Sequence, residues 1–507
     1  MKRNILPAEE KQDAVTGVKL VVGYLGVVLM MIGVILLLPL ALLVFYPAET
    51  SYAKCFIVPG VLSILVGYLG MFLIKGKPEG ALSGRGSSVL VVCMWIITIL
   101  VSAVPFLLYG GFTFAEAVFE MTSGYTTTGL TVCDVETLPK LFLFFRSVTH
   151  FFGGVGLILV MTSALSDRYG VGLYNAEGHP DKLVPNLVHS ARMIFGMYAV
   201  FILVGTVLYT ICGMSVFDAF NHSVAAVATG GFSTRKASIY YYLSDASGRY
   251  FGAGIEITTI VLMLLGQTNF FVNLLLIRGK FKKYALHGET IFTLAVIFLA
   301  VPIMAWVLAA GNVTGFWNGA RVSLFQFISA MSSTGYSSVK SFSSYPSAWL
   351  GILFLCMLVG GGQGSTAGGI KQSRIILLLK SICWNVRDRF ANPRTFRTNK
   401  IRRAGELVIV TEKEVSANYA FVGIYFLVLA AGTFLFMLGG FSFEQSLFEY
   451  ASCLGNIGYS FGIAVKGASS AILWNATCGM FVGRLEIYIV VVAIAECVLK
   501  LTRKKVL

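Results

Sequence analysis

The sequence predicts an all-α polytopic membrane protein, with two N-terminal transmembrane helices followed by four helix, pore-loop, helix repeats around one central pore. The first observation is composition: hydrophobic residues are 56% of the 507 residues, charged residues are 12%, and mean hydropathy is +0.79. A soluble domain has a more polar balance. The second observation is a stretch of glycines and hydroxyl residues that occurs four times, which indicates one structural unit used four times.

The first copy of this stretch is GYTTTGLT, residues 124–131, and one glycine of each copy can be set in register. Each copy follows a mostly apolar segment long enough for about three helical turns. A cation that crosses a bilayer sheds water and needs replacement oxygens, which backbone carbonyls of an extended, glycine-containing chain can provide. The predicted selectivity filter for potassium is therefore Thr127, Thr128, Gly129, Thr229, Gly230, Gly231, Ser333, Thr334, Gly335, Asn456, Ile457 and Gly458. Small polar residues also serve helix packing in membranes, but four aligned copies favour the filter.

Apolar stretches of about 20 residues mark the transmembrane helices. Two lie before the repeats, near 18–46 and 55–75, and the others lie near 87–109, 140–165, 188–213, 250–278, 287–311, 346–380, 415–439 and 473–501. The corresponding units are an N-terminal helix pair (1–80) and four pore repeats, 81–170, 171–284, 285–400 and 401–507. An even number of spans places both termini on one side of the membrane.

Charge and cysteine usage constrain the class further. Lys and Arg are concentrated at both termini and in alternate connections, above all between Lys371 and Lys413, so the positive-inside rule predicts that both termini are cytoplasmic. The net charge of +15 follows mainly from this topology, and basicity alone does not favour nucleic-acid binding. The nine cysteines stand singly, without a CxxC pair, which does not favour a disulfide framework or a metal site.

Two features interrupt the apolar pattern inside the repeats. The second helix of the third repeat contains a glycine-rich stretch that should open into a loop near mid-membrane, because each glycine destabilises a helix interior by roughly 1 kcal/mol relative to alanine. In the last span, Arg484 lies too deep to reach the membrane surface easily and should face the pore or a partner. Together they form a predicted gate of Gly360, Gly361, Gly362, Gln363, Gly364, Ser365, Thr366, Gly368, Gly369 and Arg484.

Each feature has a second interpretation. The glycine-rich stretch matches G-x-G-x-x-A at Gly362, Gly364 and Ala367, but a membrane span precedes it instead of a strand, so a dinucleotide site is rejected. Close helix packing through glycines remains open. For Arg484, a structural pairing with Glu486 or another carboxylate remains open, although positions i and i+2 do not share a helix face.

These motifs resemble the Trk/Ktr/HKT superfamily of potassium transporters. The resemblance rests on the four aligned glycines, the glycine-rich break followed by Ile370-Lys371, the stretch GRLEIY (483–488) and the segments FEMTSGYTTTGLTV (119–132) and FRSVTHFFGGVG (145–156). The two additional N-terminal helices make the chain more similar to the TrkH branch than to the KtrB branch. The double glycine of the second filter and the residues Asn456-Ile457 of the fourth depart from strict fourfold symmetry.

The resemblance implies potassium uptake across the cytoplasmic, or inner, membrane of a prokaryote, and no enzyme activity. It also implies a homodimer with one pore per subunit, a gating loop at 360–369 and a pore-facing Arg484. The implied partner is a cytosolic nucleotide-binding subunit of the TrkA or KtrA type, so a nucleotide is expected on that partner and no cofactor in this chain. Glycine at all four aligned positions is expected to favour potassium over sodium. A sodium- or proton-coupled symporter of the same fold is the alternative.

Two other classes fit less well. A transporter for an organic solute would usually show broken helices in two matched halves, whereas this sequence repeats by quarters. A membrane enzyme would need an acid-base or nucleophilic group inside the spans. His150 and His222 are the nearest candidates, and neither has a partner at catalytic spacing in the sequence.

Overall fold

The N-terminal part of the protein is a closely packed helix pair. The computed structural model describes residues 18–72, 84–156, 187–245, 247–390, 398–403 and 406–504. Helices α1 (Val18–Leu37) and α2 (Ala53–Met71) are joined by the 3-10 helices Leu38–Val44 and Pro47–Tyr52. A side chain on Gly26 or Gly67 would collide with the backbone of the facing helix, so small residues set this close approach.

Each of the four repeats contains a long helix, a short helix and a filter, followed by a second helical region. Repeats 1 and 2 contain α3 (Gly84–Tyr109), α4 (Phe114–Tyr125), α5 (Lys140–Val155), α6 (Leu187–Ile211), α7 (Val216–Val227), α8 (Tyr240–Leu243), α9 (Gly252–Gln267), α10 (Phe270–Ile277) and α11 (Phe281–Ala285). Repeats 3 and 4 contain α12 (Gly288–Ala310), α13 (Phe316–Met331), the 3-10 helix Phe342–Ser344, α14 (Ser347–Val359), α15 (Gln372–Arg389), α16 (Glu412–Leu438), α17 (Phe443–Leu454), α18 (Ser470–Arg484) and α19 (Tyr488–Lys504). This arrangement confirms the predicted fold class.

The short helices α4, α7, α13 and α17 are the pore helices, and local sequence explains where three of them begin. Thr113, Ser215 and Ser442 each accept a hydrogen bond from the backbone three residues later, and Glu116 completes a capping box with Thr113. Such caps satisfy amide groups that a helix leaves unpaired at its first turn. Helix α13 follows Gly315, which provides no side-chain cap.

The prediction of a continuous second helix was wrong in repeats 2 and 4. The expected span 250–278 is divided into α9 and α10, which are bent by 119°. The expected span 473–501 is divided at residues 485–487, where Glu486 and Ile487 have positive φ angles. The helix expected at 140–165 ends at Val155, and residues 157–186 lie outside the described part of the chain. In repeat 3 the predicted interruption is present and extends from Gly360 to Lys371.

Six continuous helices among the described residues are long and apolar enough to cross a membrane, and the bent pair α9 and α10 would add a seventh. The remaining predicted spans are the interrupted second helices. Several basic positions that supported the topology, in the connections 73–83 and 157–186 and at the termini, lie outside the described residues.

A small β-hairpin was not predicted. Strand β1 (Lys400–Arg403) pairs antiparallel with β2 (Glu406–Ile409) between α15 and α16. Ile401 is buried against Leu377 and Val410, whereas Leu407 and Ile409 are exposed. A side chain on Gly288, the first residue of α12, would collide with the carbonyl of Arg402. The hairpin therefore packs directly on the start of repeat 3.

Candidate functional site

The four pore helices end in the same turn. After each helix, the second following residue has a φ angle of 51° to 53°, and the next amide donates to a carbonyl five residues earlier. This is the Schellman pattern, which usually places glycine at the left-handed position. Here the left-handed residues are Thr127, Thr229, Ser333 and Asn456. Non-glycine residues rarely adopt this conformation, so tertiary contacts must hold all four of them.

The aligned glycines form a closed ring of neighbours. Gly129, Gly231, Gly335 and Gly458 all have positive φ, between 72° and 98°. A side chain on Gly129 would collide with the carbonyl oxygen of Gly230, and one on Gly231 with that of Thr334. The same relation continues from Gly335 to the carbonyl of Ile457 and from Gly458 to the carbonyl of Thr128. Each filter therefore packs directly against the next, and the fourth packs against the first.

Filter carbonyls consequently lie around one axis, directly after the C-terminal ends of four helices. Those ends carry partial negative charge, which favours a cation. The predicted filter residues are thus brought together. The left-handed conformation of the residue two positions before each aligned glycine was not predicted.

Cavities on the two sides of this ring differ greatly in size. A vestibule of about 370 Å³ is lined by all four aligned glycines and by the hydroxyl residues Thr131, Ser233, Ser337 and Ser460. On the opposite side, a cavity beside Asn456 has a volume of about 30 Å³. That space holds only a water or two. It is lined by Trp95, Gly156, Ser365, Ala367, Gly368, Lys371, Asn456, Gly483, Arg484 and Glu486.

The glycine-rich segment from Gly360 to Lys371, named here the central loop, closes this side. Thr366 Oγ1 receives a hydrogen bond from Thr229 Oγ1 at 3.0 Å. The amide of Gly368 donates to Ser333 Oγ at 2.6 Å, and a side chain on Gly368 would collide with the carbonyl of Gly455. The central loop therefore contacts filters 2 and 3 through their left-handed residues, and filter 4 through the residue before Asn456.

Arg484 completes the contact with filter 1. Its Nη1 donates to the carbonyl of Thr366 at 2.6 Å and to Thr127 Oγ1 at 3.3 Å. Its Nη2 donates to the carbonyls of Gly153 and Gly154 at the end of α5. The structure thus brings the central loop and Arg484 together, as the sequence predicted. Arg484 is the last residue of α18, so it is not inside a continuous helix as expected.

Glu486 forms an ion pair with Arg374. Its carboxylate accepts from Arg374 Nη2 at 2.5 Å, which joins α15 of repeat 3 to the break in repeat 4. Lys371 Nζ donates to the carbonyl of Ala367 within the central loop. Sequence reasoning missed these roles. The signal available was the position of the basic residues directly after the glycine-rich stretch.

Residues 362–364 of the central loop are hydrogen-bonded to repeat 2 and to α12. The amide of Gly362 donates to the carbonyl of Gln267, and the amide of Phe270 donates to the carbonyl of Gly364, at 2.9 and 3.0 Å. Glu289 Oε1 accepts from the amide of Gln363 at 3.0 Å, and its Oε2 lies 3.1 Å from His287 Nε2. The break between α9 and α10 therefore leaves backbone groups that hydrogen-bond the loop, a role that its sequence did not indicate.

The two histidines considered for an enzyme site make structural contacts. His150 is buried and stacks on Phe232. His222 is bonded through Nδ1 to the carbonyl of Asp218 and through Nε2 to Ser233 Oγ. No group of three or more His, Cys, Asp or Glu arranged to hold a metal is found among the described residues.

Comparison with known proteins gives consistent matches. Residues 60–498 match the family model described as TrkH, a cation transport protein. The chain is 28% identical over 494 residues to the Trk system potassium uptake protein TrkG of Escherichia coli, covering 94% of this chain and 97% of that protein. It is 29% identical over 495 residues to the Trk system potassium uptake protein TrkH of Halomonas elongata, covering 94% and 98%.

A solved structure has the same fold. The crystal structure of the potassium transporter TrkH from Vibrio parahaemolyticus superposes with a TM-score of 0.82 at 24% identity, covering 94% of this chain and 98% of that one. The two N-terminal helices and the four repeats described above are therefore the architecture of this family.

Proposed function

Because the chain belongs to the TrkH family of cation transport proteins, we propose that it carries potassium across the cytoplasmic membrane of a prokaryote through the four-part filter. The observation that carries this proposal is the closed ring in which each aligned glycine meets the carbonyl before the next one. Such a ring presents backbone oxygens from four sides to a dehydrated cation. The potassium uptake proteins to which the chain is similar support the choice of ion.

Purified protein in liposomes provides the direct test. We expect rubidium or potassium to enter loaded vesicles, whereas an amino acid offered as an alternative solute should not. Repeating the assay with an imposed proton or sodium gradient separates channel-like flux from the coupled alternative. Absence of potassium and rubidium flux from correctly inserted protein would contradict the proposal.

In the proposed orientation, the vestibule faces the outside, and the central loop and both termini lie toward the cytoplasm. The dense basic segment after α15 supports this orientation through the positive-inside rule. Labelling of single cysteines with a membrane-impermeant reagent in intact cells tests it: a cysteine at exposed Lys340, beside the vestibule, should react, and one at exposed Arg389 should not.

We propose that the central loop and Arg484 form the gate and that the arrangement of these residues is its closed state. A cavity of only about 30 Å³ lies between the loop and Asn456, and Arg484 places a positive charge beside it. One element therefore blocks the path sterically while the other disfavours cations electrostatically. Opening requires the hydrogen bonds between the loop and the left-handed filter residues to break.

Replacement of Ser333 by alanine should weaken the closed state. The substitution removes the acceptor for the buried amide of Gly368 and leaves that amide unpaired, which costs roughly 1–3 kcal/mol. In the open state the amide can find another partner, so the closed-to-open ratio should fall by about tenfold. The measurement is basal rubidium flux without a regulatory partner. Ser341→Ala, at an exposed hydroxyl away from the loop, serves as the control. Equal flux in both variants would contradict a role of the Ser333–Gly368 hydrogen bond in the closed state.

A cytosolic nucleotide-binding subunit is proposed to dock at the end of α15 and on the β-hairpin. This surface carries the exposed basic residues Arg389, Lys400 and Arg402, next to exposed Leu407 and Ile409. The hairpin packs on Gly288, and the adjacent Glu289 holds the amide of Gln363 in the central loop. A displacement of the hairpin can therefore reach the gate through two adjacent residues of α12.

Neutralising Arg389, Lys400 and Arg402 together to glutamine should weaken co-purification of the regulatory subunit. Arg387 is left intact because it binds Asp388 and Asn399 and thus supports the hairpin. Arg394 is equally basic in sequence but lies outside the described residues. Neutralising exposed Lys340 and Lys466 is the matched control. Unchanged association in the triple variant would leave these charges with a topological role only.

The homodimer is part of the same proposal and rests on family membership. Light scattering of the detergent-solubilised protein, corrected for bound detergent, should give twice the mass of one chain. A monomeric mass under conditions that preserve ion flux would contradict it.

A further inference from the structure

The four filters share a side-chain brace that the sequence repeats do not reveal. Nine positions before each aligned glycine, a polar residue on the pore helix hydrogen-bonds a hydroxyl two positions after that glycine. The pairs are Glu120 with Thr131 at 3.0 Å, His222 with Ser233 at 2.9 Å, Gln326 with Ser337 at 3.3 Å, and Glu449 with Ser460 at 2.7 Å. The chemistry differs between repeats although the geometry is the same.

Each hydroxyl has a second fixed bond. Its oxygen accepts the backbone amide two residues later, at Cys133, Arg235, Val339 and Gly462. The four hydroxyl residues also line the vestibule. The brace residues are therefore separated from the ion path by one hydroxyl, and a charge at a brace position acts on cations at the vestibule end of the filter.

The charges of the braces are not equivalent. Glu120 is neutralised by Arg146, whose Nε lies 2.7 Å from its carboxylate, and Gln326 is uncharged. Glu449 is fully buried and accepts hydrogen bonds from Ser460 Oγ, the amide of Phe461 and the amide of Ala464. In the part of the chain that the structure describes, no Lys or Arg lies within ion-pair distance of Glu449. Its donors satisfy a carboxylate without cancelling its charge.

We propose that Glu449 supplies the fixed negative charge that favours cation entry at the vestibule end of the filter, acting through Ser460. This inference rests on the proposed function of the filter and names a residue outside it. Donation by Ser460 to the carboxylate turns the hydroxyl oxygen toward other partners, including a cation in the vestibule. Burial disfavours the charged form of the acid, whereas the hydrogen bonds from Ser460 and the two backbone amides favour it. Where the acid is charged, the low dielectric around it strengthens its effect on a nearby cation.

The test moves the charge from one brace to another. Glu449→Gln removes it, and we expect the KM for potassium uptake to rise by about tenfold, as the loss of one nearby charge interaction predicts. Gln326→Glu adds a charge at the equivalent position of repeat 3, where Ser337, Ser338 and Tyr459 can all donate to it through hydroxyl groups. It should lower the KM, and the double variant should return toward the wild-type KM.

The rescue distinguishes charge from structure. A purely structural role for Glu449 predicts that Gln326→Glu does not rescue Glu449→Gln, that the KM of Gln326→Glu alone is unchanged, and that potassium-to-sodium selectivity falls in Glu449→Gln. That pattern would overturn the inference. If Glu449→Gln does not insert, Gln326→Glu alone decides: a lowered KM supports the inference and an unchanged KM overturns it. Absence of potassium uptake by liposomes that contain the wild-type protein would instead refute the proposed function itself.

Discussion

Gly129→Ser is expected to abolish most discrimination between potassium and sodium. The glycine has a φ angle of 91°, and an added side chain would collide with the carbonyl oxygen of Gly230 in the next filter. Because selectivity depends on where the coordinating carbonyls lie, displacing this oxygen should alter the coordination of the ion. The measurement is the ratio of potassium to sodium flux into liposomes. We expect it to fall by about tenfold or more, since misplacing one coordinating dipole costs on the order of a hydrogen bond to a charged group.

The control separates backbone strain from collision. Gly110 also has a φ angle of 91°, but a side chain there would have no neighbour within 4 Å. Gly110→Ser should therefore show whatever a strained φ angle does to insertion and stability, without affecting the filter. Equal selectivity in the wild type, Gly129→Ser and Gly110→Ser would show that Gly129 does not face the ion path.

Arg484→Ala is expected to raise basal flux without any regulatory partner. The side chain donates to the carbonyl of Thr366 in the central loop and also contacts Thr127 of the first filter. Hydrogen bonds from a charged donor contribute roughly 1.5–3 kcal/mol each, so their loss should shift the gate toward open by about tenfold to a hundredfold. Removing the positive charge also removes an electrostatic barrier, so both effects act in the same direction.

Two further variants distinguish these effects. Arg484→Lys keeps the charge but loses the two-nitrogen fork, so it should loosen the loop while retaining the electrostatic barrier. Deleting residues 363–366 removes the steric block and leaves Arg484 in place. Basal flux at or below the wild-type level in Arg484→Ala and in the deletion, with normal insertion, would place the gate elsewhere.

The fold could be predicted from the sequence because its main signals are strong and repeated. Apolar segments of membrane length and one aligned glycine in each filter depend little on tertiary context. The break at Gly360–Gly369 was visible because several glycines destabilise a helix together. The break at Thr268-Asn269 was not, because neither residue is a strong helix breaker. It persists because Asn269 caps α10 and bonds the carbonyl of Gln363.

The candidate site shows the same limit. The filter residues and Arg484 were found from local anomalies: glycine in an apolar chain, or a charge in a span. The residues that bond the central loop from other parts of the chain were not found, because a contact between residues distant in sequence leaves no local signal. Glu289 looks like an ordinary acidic residue in the first turn of a helix, and Arg374 looks like part of a basic cytoplasmic run. Only the folded chain shows that each bonds the central loop.

The ring of glycines and carbonyls also constrains how such a chain can change over evolutionary time. After a duplication, each copy of a repeated unit is usually free to diverge. Here the room at position 129 is set by residue 230, the room at 231 by residue 334, the room at 335 by residue 457, and the room at 458 by residue 128. A side chain at one of these glycines is therefore accommodated only if the backbone of the following quarter moves, because the limiting atom is a main-chain carbonyl oxygen. The four aligned glycines should therefore be retained together while the rest of each copy diverges.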